Sequence, residues 1–343
     1  MAVFINVSSS LILVHLSTFF KLKHTIFLEG ISKGTNNTNF LVTTGFKRCV
    51  LTFVSVNSKL FPIYFLLTSY NFNYSYYPPV ITDIYGRLFF CYNGSVAFLT
   101  AYVIGSAVYV FNFRLCYFLG FNLSNIHVTY IFKSGYIFNS FSFRSLLFGY
   151  IRYFFKLLLL LYYNFLLVSI SYLQRFLTSC SYFYLAVAFC HCDLFRDNVI
   201  FDSTTCYKFI DFHFLSFEKK LYDFSIVVSE WCFNGHFCHR RFIYFIIGYL
   251  RRCFISISEF NCMYIFTVFV IFRFFITRLS TLFYGCYTFS SKKIYSYYYL
   301  YNYFYFNRAA VCEFFSLLKR YIYVRFYKRL CFCAFKGKNQ ISC

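Results

Sequence analysis

The stretch "FCHCDLFRDNVIFD", residues 189–202, decides how this chain is interpreted, because it differs from everything around it. The rest of the sequence is mainly Phe, Tyr, Leu, Ile and Ser. Here three Asp, one Arg, one Asn and one His fall within a dozen positions. A carboxylate is costly in apolar surroundings unless it binds a cation or a proton donor. The stretch therefore predicts a site that uses carboxylates.

The acidic residues of the whole chain concentrate in the same region. Seven of the 11 lie between residues 191 and 230, where a uniform scatter over 343 residues would place about one. The seven are Asp193, Asp197, Asp202, Asp211, Glu218, Asp223 and Glu230.

The overall composition argues against several classes of protein. Aromatic residues make up 27% of the chain, which is typical of a drift towards T-rich codons, so an apolar residue is weaker evidence of burial than usual. The net charge is +22, yet no basic run resembles a nucleic-acid-binding arm outside the C-terminal tail, and we expect no nucleic-acid partner. The 16 Cys are scattered and no signal peptide is evident, which favours free thiols in the cytoplasm.

Two uncharged stretches leave a membrane protein open as an alternative. Residues 88–113 and 157–174 contain no Lys, Arg, Asp or Glu and are long enough to span a bilayer. The first contains Asn93 and Gly94, however, and is typical of two strands joined by a turn. With the acidic cluster taken into account, we expect no membrane insertion.

The order of patterns along the chain predicts an α+β protein. Turn signals at short spacing between residues 25 and 110 favour an antiparallel sheet, and long apolar runs from about residue 111 favour helices. We therefore predict a small sheet lobe followed by a larger, mainly helical lobe.

Four residues, three of them within the quoted stretch, have the spacing of a phosphotransferase site. His191, Asp193 and Asn198 form the pattern HxDxxxxN, and Asp211 follows in "FIDF". Kinase-like enzymes use one Asp to orient and deprotonate the attacking hydroxyl, and an Asn and a second Asp to hold Mg²⁺ on the nucleotide phosphates. An amide and a carboxylate oxygen suit this hard cation.

Neighbouring residues have simpler interpretations as well. Asp197 and Asp202 are typical of turns or solvated positions. Asp223 in "LYDFSI" is either a helix N-cap or a brace of the catalytic loop. His191 favours a structural hydrogen-bonding role, and Trp231 favours the core over a substrate platform.

A longer segment resembles one enzyme family. Residues 191–233, "HCDLFRDNVIFDSTTCYKFIDFHFLSFEKKLYDFSIVVSEWCF", are similar to the catalytic segment of bacterial homoserine kinases of the aminoglycoside phosphotransferase-like class. "LEGISKGTNNTNFLVTTGFKRCVLTF", "VAFLTAYVIGSAV", "LGFNLSNIHV" and "RFFITRL" resemble further segments of that family in the same order. Together these matches reach from residue 1 to about 304. The resemblance implies a bilobal, protein-kinase-like fold with a nucleotide-binding lobe at 1–103 and a catalytic and substrate lobe at 104–304. A basic extension at 305–343 follows, whose role the sequence leaves open and for which a solvated tail is the default expectation.

The resemblance implies roles for particular residues. Asp193 would be the catalytic base, with Asn198 and Asp211 as Mg²⁺ ligands and His191 and Asp223 as supporting residues. The hinge at 98–103 would hold the adenine of ATP. A loop would cover the nucleotide phosphates through its backbone, although a plain hairpin turn is the alternative. Its residues are Gly34, Asn36, Asn37, Thr38 and Asn39.

Other basic residues stay ambiguous. Arg273 and Arg278, five apart on a predicted helix, would contact a carboxylate or phosphate or have a structural role. Thr52 stands where protein kinases have a strand Lys, and the sequence leaves open whether Lys33, Lys47 or no Lys serves the phosphates.

The function implied is phosphorylation of L-homoserine by ATP in the cytoplasm, a step towards threonine. Alternatives are a kinase for choline, methylthioribose or an aminoglycoside, a multi-spanning membrane protein, or a decayed enzyme. The intact motif disfavours the last. The sequence leaves open the oligomeric state and the groups that bind the ammonium and carboxylate of homoserine.

Overall fold

The computed structural model describes residues 9–22, 26–31, 38–45, 47–55, 77–107, 112–129, 171, 174–176, 179–202, 206–283 and 291–324. The chain divides into two compact units. The first comprises Met1–Tyr109 and Arg196–Leu215, and the second comprises Val110–Phe195 and Ser216–Cys343. The domain boundaries at 103 and 304 stay predictions.

An antiparallel sheet dominates the first unit, as the turn-rich sequence predicts. Its strands are β1 (Phe27–Gly30), β2 (Thr38–Thr43), β3 (Arg48–Ser55), β4 (Val80–Ile81), β5 (Phe90–Tyr92) and β6 (Ser95–Ala101). The order is β1-β2-β3-β6-β4, and β5 also pairs with β6. Asn93 and Gly94 join β5 to β6 with φ of 45° and 72°, the left-handed pair that a tight hairpin requires. The uncharged stretch 88–113 thus contains the predicted strands and turn.

A helix that the sequence patterns did not indicate covers this sheet. The helix α1 (Ser9–Phe19) has Ile12 and Leu16 fully buried, four residues apart on one face. They join Val42 and Leu51 of the sheet, also fully buried, in one apolar core.

A second, three-stranded sheet lies in the same unit, in the order β10-β9-β7. Its strands are β7 (Ser106–Ala107), β9 (Val199–Asp202) and β10 (Cys206–Phe209). Single 3₁₀ turns at Arg196–Asn198 and Phe212–Phe214 flank the β9–β10 hairpin. Gly105, with φ of 140°, permits the approach of β7, because a Cβ there would overlap the carbonyl oxygen of Phe201.

The second unit is mainly helical. Its two described strands, β8 (Val187–Cys190) and β11 (Ser216–Lys219), pair antiparallel. Its described helices are α2 (Phe113–Thr129), α3 (Cys180–Phe183), α4 (Leu221–Ile226), α5 (His239–Tyr249), α6 (Ile257–Phe283), α7 (Ser291–Phe306) and α8 (Arg308–Ile322). A π-helical turn, Val227–Trp231, follows α4 directly.

Helix α6 is the core helix of this unit. Among the residues that the structure describes, only its segment Ile257–Arg278 is long and apolar enough to cross a membrane, and that segment is mostly buried inside the protein. The other uncharged stretch, 157–174, falls almost entirely outside the described residues.

The C-terminal region corrects one prediction. Residues 305–343 were predicted to be a solvated extension, but α8 lies within it and buries Val311, Phe315 and Leu318. Lys319 Nζ on α8 donates to Asn261 Oδ1 on α6 at 2.8 Å. The apolar residues recur every three to four positions, so the basic residues occupy only the outer face.

Candidate active site

Asp193 lies on a short loop whose neighbours are buried. Strand β8 ends at Cys190, which pairs with Ser216 of β11. His191, Cys192 and Leu194 are fully buried, whereas Asp193 is half-buried. Cys192 adopts a left-handed φ of 61°, which turns the chain immediately before Asp193. The loop therefore keeps His191, Cys192 and Leu194 in the core and leaves the carboxylate of Asp193 partly accessible.

Asp223 on α4 holds the backbone of this loop. Its side chain is fully buried, and its Oδ2 and Oδ1 accept the backbone N–H groups of His191 and Cys192, both at 2.8 Å. Its Oδ2 also lies 3.0 Å from Nε2 of His127, which is fully buried on α2. Three donors thus compensate for the burial of one carboxylate. Asp223 lies inside α4, which begins at Leu221, so it is not the N-cap of that helix.

His127 is held from its other side by Tyr249 of α5. The hydroxyl of Tyr249 lies 2.7 Å from Nδ1 of His127 and 3.0 Å from Sγ of Cys253. Burial, and after it the neighbouring Cys253, raise the pKa of Tyr249 well above its ordinary value, so this hydroxyl stays protonated. A hydrogen-bonded chain therefore runs from Cys253 through Tyr249 and His127 to Asp223.

The same region contains a group with the donor atoms of a metal site. His127, Cys190 and Asp223 have donor atoms within 4.8 Å of one another. The carboxylate oxygens of Asp223 already accept the hydrogen bonds described above, and burial raises the pKa of Cys190 well above its ordinary value, which keeps the thiol protonated. In this structure the group is a hydrogen-bonded core cluster.

Two further side chains bind the carbonyl groups on either side of Asp193. Arg273 Nη1 donates to the Cys192 carbonyl oxygen at 3.3 Å, and Trp231 Nε1 donates to the Leu194 carbonyl oxygen at 2.8 Å. Arg273 is 3% exposed and its guanidinium packs over the ring of Phe274, 4.7 Å from the centroid. The sequence left open whether Arg273 contacts a carboxylate or phosphate or has a structural role. The hydrogen bond to the Cys192 carbonyl oxygen is a structural contact. Trp231 is fully buried, as predicted for a core residue.

Asn198 and Asp211 meet at one end of the β9–β10 hairpin in the first unit. The backbone N–H of Ile210 donates to the carbonyl oxygen of Asn198 at 2.9 Å. Asn198 is buried, whereas Asp211 is exposed and holds a left-handed conformation with φ of 59° and ψ of 60°. One amide and one carboxylate oxygen from adjacent strand ends fit the few, hard ligands that Mg²⁺ takes from a protein.

The predicted phosphate loop is described only at its end. Gly34, Asn36 and Asn37 lie outside the described residues, while Thr38 and Asn39 begin β2. The carbonyl oxygen of Asn39 accepts the N–H of Ile31 at 2.8 Å, which closes the base of a β1–β2 hairpin. The loop prediction is therefore compatible with a hairpin connection, and its role in phosphate binding stays a prediction.

The two lysines left open by the sequence differ in position. Lys33 lies in the part of the loop that the structure does not describe, and Lys47 follows β2 at its opposite end. The two ends of β2 are about 17 Å apart at a rise of about 3.3 Å per residue. Lys47 therefore lies at the end of the strand away from this loop, and the choice between the two lysines stays a prediction. Thr52 is buried in β3 and pairs with Asn39 and Phe98.

Comparison with known proteins agrees with this geometry. Residues 169–254 match the model of the phosphotransferase enzyme family. Among solved structures, the chain is similar to the amicoumacin kinase hAmiN, with a TM-score of 0.66 and 12% identity over 87% of this chain and 93% of that one. It is also similar to the spectinomycin phosphotransferase APH(9)-Ia, with a TM-score of 0.60 and 13% identity over 86% and 94%. The chain has the protein-kinase-like fold of the aminoglycoside phosphotransferases.

Curated relatives carry a more specific name. A homoserine kinase of Ralstonia nicotianae is 40% identical over 73 residues, which are 20% of this chain and 22% of the relative. A homoserine kinase of Burkholderia lata is 29% identical over 251 residues, or 68% of this chain and 72% of the relative. The chain thus spans about a fifth of the length of the Ralstonia relative. The resemblance to homoserine kinases that the motifs indicate is confirmed.

Sequence reasoning missed several residues that shape this site. His127 is the penultimate residue of the segment "LGFNLSNIHV" that carries part of the resemblance, and that match was the available signal for it. Tyr249 and Cys253 gave no signal, because an isolated Tyr is unremarkable in a chain with 36 of them. Their contacts with α2 and with each other exist only in the folded chain.

Proposed function

We propose that this protein is an ATP-dependent kinase that phosphorylates the side-chain hydroxyl of L-homoserine. The observation that carries the proposal is the loop of Asp193, whose backbone is bound on both sides by Asp223, Arg273 and Trp231. A carboxylate presented so rigidly beside a fully buried His191 has the properties of a positioned general base. The choice of homoserine rests on the curated relatives and on the shared order of motifs.

In the proposed reaction, Asp193 orients the substrate hydroxyl and accepts its proton. The hydroxyl oxygen then attacks the γ-phosphorus of ATP, the bond to the β,γ-bridging oxygen breaks, and ADP leaves with that electron pair. Phosphoryl transfer depends mainly on position and charge stabilisation, so a rigid Asp193 loop serves it directly.

Asn198 and Asp211 are the proposed ligands of Mg²⁺. This ion supplies neutralisation of the charge on the phosphate oxygens. The hairpin that joins the two residues holds the backbone of Ile210, next to Asp211, against that of Asn198, and Asp211 adopts a left-handed conformation. ATP is the proposed phosphate donor, and its adenine is assigned to the hinge at 98–103.

The proposed location is the cytoplasm, and the proposed pathway is threonine biosynthesis. Kinases for choline, methylthioribose or an aminoglycoside remain alternatives that use the same fold with another acceptor. They differ from the proposal only in the alcohol that is phosphorylated.

The test is ADP release by the purified protein with Mg²⁺ and ATP, with and without L-homoserine. We expect homoserine-dependent turnover that falls by about 10²–10⁴ in Asp193→Asn, since a general base contributes about that factor. Asp197→Asn is the matched control, because Asp197 is exposed on the same segment. Turnover with choline or a sugar but not with homoserine would show that the protein is a kinase with a different acceptor.

A further inference from the structure

The proposed acceptor has two charged groups for which the catalytic residues provide no partner. L-Homoserine carries an α-ammonium and an α-carboxylate beside its hydroxyl, and each requires an opposite charge close to Asp193. Within the second unit, Glu230 and Arg278 have no place in the mechanism above. Both are half-buried, unlike the solvated charges of the helix surfaces.

The backbone of Glu230 is tied to the Asp193 loop. Glu230 lies in the π-helical turn Val227–Trp231, and its neighbour Trp231 donates to the carbonyl oxygen of Leu194 at 2.8 Å. Glu230 and Asp193 are thus each one residue away from the same hydrogen bond. Single π-helical turns are rare and occur frequently at functional sites. The π-helical turn therefore marks Glu230 as a candidate functional residue next to the Trp231 anchor of the Asp193 loop.

The side chain of Glu230 is fixed in direction by Tyr297 of α7. The Tyr297 hydroxyl donates to Glu230 Oε1 at 2.9 Å, and Tyr297 is 8% exposed. Its ring lies 5.7 Å from that of Phe274, which lies 4.7 Å from the ring of Phe195, two residues after Asp193. An aromatic contact path therefore connects the support of Glu230 to the Asp193 loop.

Arg278 lies on the same side of α6 as this path. It is four residues after Phe274, and positions i and i+4 share a helix face. Burial first, then Glu230, raise the pKa of Tyr297 well above its ordinary value; Arg278 lowers it and Asp193 raises it. The charges of all three groups therefore act on one hydroxyl.

We propose that Glu230 and Arg278 form the amino-acid subsite of this enzyme. Glu230, oriented by Tyr297, accepts hydrogen bonds from the α-ammonium of the substrate, and Arg278 binds its α-carboxylate. The inference rests on the proposed kinase function and restricts its acceptor to one class, an α-amino acid with a side-chain hydroxyl. A neutral sugar would require neither charge.

The experiment compares three acceptors that differ by one charged group each. L-Homoserine carries both, 3-aminopropan-1-ol lacks the carboxylate, and 4-hydroxybutanoate lacks the ammonium. Glu230→Gln should raise KM for L-homoserine and 3-aminopropan-1-ol by about ten- to a hundredfold, the factor of one charge-assisted hydrogen bond, and leave 4-hydroxybutanoate within about twofold. Arg278→Gln should raise KM for L-homoserine and 4-hydroxybutanoate and spare 3-aminopropan-1-ol.

Further variants separate recognition from folding. Tyr297→Phe should give a smaller rise than Glu230→Gln with the same acceptor pattern, and Glu230→Asp should restore part of the affinity. KM for ATP should stay within about twofold in all four variants. Glu313→Gln, an exposed acid on α8, is the matched control. Equal losses with all three acceptors would show a structural role and overturn the subsite.

A binding measurement separates this inference from the proposed function. Calorimetric titration of L-homoserine and 3-aminopropan-1-ol in the presence of a non-hydrolysable ATP analogue requires no turnover. Binding that is lost in Glu230→Gln supports the subsite even if ADP release is absent. Unchanged binding in that variant, or no binding to the wild-type protein, overturns the subsite. The proposed kinase function is tested separately, by homoserine-dependent ADP release.

Discussion

At the scale of single residues, the site depends on a few buried charges with many partners. The sequence left two interpretations open for Asp223, because a carboxylate near the start of a helix is also the pattern of an N-cap. Its hydrogen bonds to His191 and Cys192 span 32 and 31 residues along the chain, respectively. Local propensity contains no information at that separation, so only the folded structure distinguishes the two.

Asp223→Asn should destabilise the protein strongly. The amide keeps the shape but has one oxygen acceptor, so its NH₂ group would face a backbone N–H of His191 or Cys192 or the ring of His127. We expect the free energy of unfolding to fall by about 3 kcal/mol, as for other broken buried charge networks. Urea unfolding followed by fluorescence measures this. The exposed Asp197→Asn should change it by less than about 0.5 kcal/mol, and an equal loss in both variants would contradict the assignment.

Asp83 in the β4–β5 connection predicts a dependence of stability on pH. Burial alone would raise the pKa of this carboxyl, but hydrogen bonds from Arg87 N, Arg87 Nε and Tyr85 N outweigh it and lower the pKa from its ordinary value of 3.8. Because the folded-state pKa is lowered, the ionised carboxylate stabilises the fold above that ordinary value. The stabilisation is lost as the pH falls through the folded-state pKa.

The measurement is the difference in unfolding free energy between the wild-type protein and Asp83→Asn. It should be positive at pH 7 and shrink as the pH falls below 3.8. Ser17→Ala, a change at an exposed residue of α1, should show no such pH dependence. A difference that stays constant down to acid unfolding would show that the carboxylate charge at Asp83 does not contribute.

At the scale of helices and strands, the sequence predicted whether a segment is a helix or a strand better than it predicted which elements pack together. Turn signals placed the antiparallel sheet correctly, since Gly, Asn and Pro mark chain reversals whatever the codon bias. Apolar periodicity indicated helices after residue 111 but could not indicate partners, because nearly every face is aromatic. The pairing of α2 with α5 depends on two glycines whose close contacts the sequence did not indicate. A Cβ on Gly120 would overlap the Phe245 carbonyl oxygen, and one on Gly248 would overlap that of Tyr117.

Gly248→Ala should therefore destabilise the protein despite its better helix propensity. Alanine in a helix interior is favoured over glycine by about 1 kcal/mol, so a neutral site would gain stability. Overlap with α2 should reverse the sign and give a net loss of about 1–3 kcal/mol. Because α2 and α5 carry His127 and Tyr249, kcat should fall as well. Thermal unfolding and turnover measure both, and a raised Tm would show that the helices can move apart without cost.

At the scale of the whole molecule, composition was the least reliable guide. With 60% hydrophobic residues, hydropathy alone left a membrane protein open. The structure uses many of these residues in cores: Met263, Phe266 and Val270 of α6 are each 1% exposed or less. The acidic cluster was more informative than the apolar majority, because charged residues remain in such a chain only where the fold or the chemistry requires them.

Fractionation of cells that express the protein tests this interpretation of composition. A helix that turns most of its surface to its own protein has little left for lipid, so we expect Ile257–Arg278 to remain inside the second unit and not in a bilayer. The protein should then stay in the supernatant after high-speed centrifugation. Any pelleted share should be released by a high-salt wash, since a net charge of +22 binds anionic lipid surfaces through ionic contacts.

An integral membrane protein of the same cells is the control, because it stays with the lipid under both conditions. Retention of the chain in the lipid fraction until detergent is added would contradict the prediction and make the uncharged stretch 157–174 the first candidate for a membrane span.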